Sequence, residues 1–176
     1  MVKRILIVVD MQKDFVDGSL GTKEAVSIVD NVCKKIETFD GDVIVTYDTH
    51  FANYMETQEG KHLPVSHCIK NTEGWNLDDK VQITLDKRPY KVIEKPTFGS
   101  MELVEYIKSS YNPSEMEIVL IGLCTDICVV SNALLMKANF LETKVVVDAS
   151  CCAGVTPESH EAALLTMKMC QIEIVG

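Results

Sequence analysis

Unbroken apolar runs constrain this chain more than any other feature. RILIVV occupies 4–9, DVIVTY 42–47, EIVLIGL 117–123 and KVVVDA 144–149, with shorter runs KVIEK at 91–95 and QIEIV at 171–175. A strand that is apolar along its whole length has both faces buried, as in a parallel sheet with helices on both sides. Helical spacing separates these runs. Ala25, Ile28, Val29, Val32 and Ile36 share one face of a helix over 22–38. Thr22 is placed to cap it, although Ala25 denies it a full capping box. Leu103, Val104 and Ile107 point inward from a helix over 100–109. Further helices cover 126–140 and 157–170, the last opened by Pro157. The order is β-α-β, a long segment, then β-α-β-α-β-α-β. This predicts an α/β fold, a three-layer α/β/α arrangement with a central, mostly parallel sheet and right-handed crossovers.

The 176 residues suit a single domain over 1–176, with an insertion at about 48–90. An insertion of that length usually builds a lid or a binding wall, and this one holds His50, His62 and His67. The formal net charge of -9 disfavours nucleic acid and anionic membrane as partners. The apolar run at 5–9 is too short for a signal peptide, and no stretch is long enough to span a bilayer. A cytoplasmic location is therefore expected. Seven cysteines, an odd number, fit reduced thiols better than a disulfide framework.

Ligands of parallel sheets bind beyond the carboxyl ends of the strands. The first strand ends at Asp10, the second at Asp48 with His50 beyond, and the third at Lys95. The fourth runs into GLCTDIC, with Cys128 about one turn into the next helix. A thiol at a helix start gains from unpaired N–H groups and the dipole. A nearby lysine favours its thiolate, and a nearby carboxylate can take its proton. Lys95 and Asp10 could fill those roles, with the N–H groups of Cys124 and Cys128 facing a developing oxyanion. Core packing is the competing account of Cys128. Zinc held by Cys124 and Cys128 would need two ligands from elsewhere. Asp14 and Asp17 compete for the role given to Asp10. Asp48, His50 and either His67 or His62 form a two-histidine, one-carboxylate set suited to Zn, Fe or Mn. Phe15 could wall a pocket for a flat ring, or simply pack its loop. Trp75 could do the same or anchor the insertion. His160 reads as structural or exposed.

Together these blocks resemble the isochorismatase-like cysteine hydrolases, and within them the nicotinamidases. VDMQKDFVDGSL is similar to that family's opening, YDTH to its metal-binding Asp-x-His, and SHCIKNTEGW to its His-Cys block. EKPTFGS is similar to the lysine block and GLCTDICVVSNAL to the nucleophile block. The resemblance implies a catalytic triad of Asp10, Lys95 and Cys128, and an oxyanion hole at Cys124 and Cys128. It implies Phe15 in the substrate pocket and one divalent metal, zinc foremost, on Asp48, His50 and His67. It also implies a cis peptide at Leu123-Cys124 and a homo-oligomer. One departure stands out: the metal block reads LPVSHC where nicotinamidases carry Trp-Pro-x-His-Cys.

The activity so implied is hydrolysis of a small aromatic amide, nicotinamide, to nicotinate and ammonia through an acyl-enzyme, in NAD salvage. The rival within the family is a hydrolase of another small amide or an N-carbamoyl compound. Rivals of other classes are a non-catalytic interaction protein of the same fold and a thiol redox protein using Cys124 and Cys128.

Overall fold

The computed structural model describes residues 2–176. Six strands, β1 (Lys3–Val9), β2 (Asp42–Asp48), β3 (Lys91–Lys95), β4 (Met116–Leu123), β5 (Lys144–Ala153) and β6 (Glu173–Val175), form one sheet. Their order is β3-β2-β1-β4-β5-β6, and every neighbouring pair is parallel. The helices are α1 (Lys13–Val16), α2 (Lys23–Thr38), α3 (Gln58–His62), α4 (Asp79–Leu85), α5 (Met101–Ser110), α6 (Val130–Asn139) and α7 (Pro157–Met169).

The continuous apolar runs divide between two cores because strand side chains alternate. On one face Leu6, Val8, Val43, Val45, Val119 and Ile121 meet the apolar sides of α2 and α4. On the other, Ile5, Ile7, Val9, Ile44, Ile118 and Leu120 meet α5, α6 and α7. The adjacent Cys151 and Cys152 follow the same rule. One enters each core, and all seven cysteines are unpaired thiols. Thr22 caps α2 as its position predicts, accepting from the Ala25 N–H at 3.0 Å.

Three details depart from the sequence expectation. Strand β5 runs past 149 to Ala153, after a register shift opposite β4 between Leu120 and Gly122. The helix expected from 126 opens as a π-helical turn over Thr125–Val129 before α6 begins. Such wide turns recur at functional sites. The insertion carries more regular structure than its sequence suggests: a 3-10 turn at Tyr54–Glu56, then α3 and α4. Trp75 fastens it, with Nε1 donating to Thr49 Oγ1 at 2.9 Å and the ring 5.0 Å from that of Tyr47. Among the described residues, no helix is long and apolar enough to cross a membrane.

The chain reverses its winding direction between β1 and β4, where the two strands lie side by side. A crevice forms at such a switch point. Close packing there requires Gly122, whose φ is +113° and where a Cβ would lie 2.2 Å from the Val9 carbonyl oxygen.

Candidate active site

Beyond the carboxyl ends of β1, β3 and β4, three predicted residues meet. Lys95, 1% exposed, places Nζ 2.7 Å from Asp10 Oδ2 and 3.5 Å from Cys128 Sγ. Asp10 has no exposed surface and Cys128 only 4%. Asp10 leaves β1 in the left-handed region, at φ +47°, which Asp tolerates better than most residues. The Thr46 hydroxyl donates to its Oδ1 at 2.6 Å. Asp14 and Asp17 are elsewhere. Asp14 accepts from the Cys68 N–H at 2.7 Å, and Asp17 lies exposed after α1.

Burial dominates the electrostatics of Cys128. Burial and then the negative charge of Asp10 push the thiol well above its ordinary value, and Lys95 offsets only part of this. Burial also raises Asp10, against the pull of Lys95. Burial alone would lower Lys95, but the charges of Asp10, Cys128 and Asp48 together raise it, so it stays an ammonium. Lys95 and Asp10 thus pair at 2.7 Å beside a thiol that holds its proton more tightly than a free cysteine does. Cys124 is pushed up to about 12, by burial first and Asp126 second. Neither thiol has the lowered pKa of a reactive redox pair.

A second cluster adjoins the first. Asp48, His50, Glu59 and His67 bring one ligand atom each within 4.8 Å of one another. His50 Nε2 is 3.1 Å from Asp48 Oδ2, and His67 Nε2 is 3.6 Å from the same oxygen. Glu59 Oε1 lies 3.6 Å from His50 Nε2 and 3.8 Å from His67 Nε2. His67 Nδ1 bonds the Val65 carbonyl at 2.8 Å, which places the proton there and leaves Nε2 free to ligate. Burial raises the Asp48 carboxyl, but the adjoining His50 and His67 and the Lys95 charge outweigh it and hold it low. Two carboxylates and two imidazoles on one small volume suit a divalent cation of borderline softness. The donor set therefore fits the metal that the sequence implied.

Sequence reasoning missed Glu59. It comes from α3, inside the polar run METQEGKH, and no spacing ties it to the Asp-x-His pair. His62 does not join the cluster. It is one turn further along α3, exposed, with Nδ1 on the Gln58 carbonyl at 2.9 Å. Gln12 was also missed. Fully buried, it pairs with the Asp48 backbone at both ends: Oε1 accepts from the N–H at 2.8 Å and Nε2 donates to the carbonyl at 2.9 Å. It thereby ties the loop after Asp10 to the four-donor cluster.

A cleft of about 700 Å³ borders the four-donor cluster, with His50 and Glu59 in its lining together with Pro96 and Thr97, which follow Lys95. Leu63, Phe98 and Ile127 give it apolar walls. Phe15 is 9% exposed and stacks obliquely behind His67, ring centroids 5.4 Å apart. The peptide between Leu123 and Cys124 is cis.

Comparison with known proteins gives these features a context. The isochorismatase domain matches residues 4–175. The crystal structure of nicotinamidase/pyrazinamidase PncA from Bacillus subtilis superposes with a TM-score of 0.86 at 25% identity, covering 99% of this chain and 100% of that one. The pyrazinamidase of Pyrococcus horikoshii in complex with zinc gives 0.79 at 26% identity, covering 98% of each. The nicotinamidase/pyrazinamidase of Mycobacterium tuberculosis is 26% identical over 186 residues, 98% of both chains. With its domain match running almost end to end, the chain belongs to the isochorismatase family of hydrolases.

Proposed function

We propose that this protein hydrolyses nicotinamide, and related small aromatic amides, to the acid and ammonia through a thioester on Cys128. The observation that carries this reading is the contact of one buried lysine with both Asp10 and the Cys128 sulfur, at 2.7 and 3.5 Å. The likeness to nicotinamidases and pyrazinamidases supports the choice of substrate. The corresponding place in metabolism is the salvage of nicotinamide for NAD.

Each residue of the site has a definable task. Asp10 accepts the Cys128 proton as sulfur attacks the amide carbonyl. The N–H groups of Cys124 and Cys128 receive the oxyanion. Lys95 remains charged and offsets the negative charge that builds on sulfur and oxygen. As the C–N bond breaks, Asp10 returns its proton to nitrogen and ammonia departs. Asp10 then takes a proton from water, whose oxygen attacks the thioester. The carboxylic acid leaves and Cys128 recovers its proton. Asp48, His50, Glu59 and His67 would hold one divalent ion, which supplies a Lewis-acid docking point for a ring nitrogen. Leu63, Phe98 and Ile127 exclude water and grip the ring from the sides. The LPVSHC block offers no tryptophan, and Phe98 is the aromatic ring that the cleft has besides its histidines.

Turnover of a panel tests the substrate. Nicotinamide, pyrazinamide, benzamide and an N-carbamoyl amino acid should be compared by ammonia release, with bound metal counted in the same preparation. The proposal expects the two azine amides to lead and benzamide, with no ring nitrogen, to trail. Preference for the N-carbamoyl compound would reassign the substrate within the family.

A further inference from the structure

One turn beyond Cys128 on α6, Asn132 is fully buried. All three of its hydrogen bonds go to backbone atoms of the site. Its amide nitrogen donates to the Cys128 carbonyl at 2.8 Å and to the Phe98 carbonyl at 3.0 Å. Its oxygen accepts from the Ser100 N–H at 3.0 Å. The segment it grips, 96–100, has no helix or strand of its own. That segment follows Lys95 directly and carries Phe98, a 44% exposed wall of the cleft. Gly99 lets it lie close on α6, since a Cβ there would come within 2.6 Å of Leu135 Cδ1. Thr97 in the same segment offers its carbonyl to Lys95 Nζ at 3.0 Å.

We propose that Asn132 is a positioning residue, which sets the register of the Phe98 wall against the Cys128 turn and so determines how firmly the ring is held. The inference rests on the hydrolase reading above. Its physical basis is the reach of the side chain. A planar amide with two donors and one acceptor can bridge two carbonyls and an N–H at once. No hydroxyl can do this. Threonine at this position would bond back to the carbonyl four residues earlier on its own helix, that of Cys128, and would be too short to hold Phe98. A displaced wall weakens binding of substrate and transition state alike, which raises KM more than it lowers kcat.

The experiment compares wild type, Asn132→Thr, Phe98→Ala and the double variant. Thermal unfolding verifies that each folds, and Asn132→Ser replaces Asn132→Thr if that variant does not. Asn132→Thr should raise KM for nicotinamide about tenfold and lower kcat by less than about threefold. In the Phe98→Ala background the same substitution should have almost no effect on KM, because the wall it positions is gone. A folded Asn132→Thr with unchanged KM would overturn the proposal. So would an equal KM increase with and without Phe98. A turnover-independent arm separates this from failure of the hydrolase reading. Alkylation of Cys128 by iodoacetanilide, relative to iodoacetamide, reports whether the wall engages a ring. That ratio should fall severalfold in Asn132→Thr even if no amide is hydrolysed, and an unchanged ratio would refute the positioning role.

Discussion

Lys95 Nζ reaches Asp48 Oδ1 at 3.4 Å, so the lysine that pairs with Asp10 also touches a carboxylate of the four-donor cluster. The two clusters therefore share a charge. Lys95→Met would leave Asp10 and Asp48 buried without that cation. Removing one partner of a buried ion pair costs about 3 to 5 kcal/mol. The variant should unfold at markedly lower denaturant and lose about a hundredfold or more in turnover. Urea unfolding followed by circular dichroism, with an ammonia assay alongside, measures both. A variant as stable as wild type would show that the shared charge contributes little.

The Cys128 thiol should react slowly for a cysteine. Its pKa is raised, so the thiolate fraction at pH 7.5 is smaller than that of a free thiol, and alkylation should rise only at a pH above that at which a free thiol titrates. Asp10→Asn removes the negative charge that raises it while Lys95 remains. The variant should therefore be alkylated faster at pH 7.5 even though it no longer turns over amide. Iodoacetamide labelling with mass mapping to Cys128 decides this. Slower labelling of Asp10→Asn would reverse the assigned electrostatics.

Removing the metal should loosen the insertion, because Glu59 and His67 lie well inside it whereas Asp48 is anchored as the last residue of β2. Ion binding at a hundred times its dissociation constant contributes about 2.7 kcal/mol, so chelation should lower Tm by roughly 5 to 10 °C. Glu59→Gln keeps the shape but removes one charge, and should weaken metal affinity about tenfold or more without displacing His50 or His67. Calorimetric titration of the apoprotein with Zn, Mn and Fe(II) gives the affinities. Equal affinity in Glu59→Gln would remove Glu59 from the ligand set.

Gly122 joins β4 to β1 where the crevice forms. In Gly122→Ala a methyl group must enter 2.2 Å from the Val9 carbonyl oxygen, at a φ of +113°. The cost should be about 3 kcal/mol or more, and the displaced seam should separate Asp10 from Cys128. Thermal unfolding and turnover should fall together. A neutral substitution would mean that β1 and β4 can part freely.

Much of this arrangement was legible in the sequence because it depends on strand ends. If ILIVV, DVIVTY, KVIEK and EIVLIGL are parallel strands, Asp10, Asp48, Lys95 and the Cys128 turn must gather along one edge. Local spacing also marked the Thr22 cap and the helix faces. Glu59 was not legible, because α3 reaches the cluster only through tertiary folding of the insertion. Gln12 and Asn132 were hidden for a similar reason: each bonds backbone atoms remote in sequence, and no periodicity records that. The width of the turn at Thr125–Val129 and the high pKa of Cys128 depend on burial, which a sequence motif does not convey.

Ammonia release from nicotinamide, by wild type and by Cys128→Ala carrying the same amount of bound metal, tests the central claim most directly. The account predicts steady turnover by wild type and a loss of about a thousandfold or more in the variant. Comparable turnover by both proteins would contradict a cysteine nucleophile, and no turnover by metal-loaded wild type would contradict nicotinamide as the substrate.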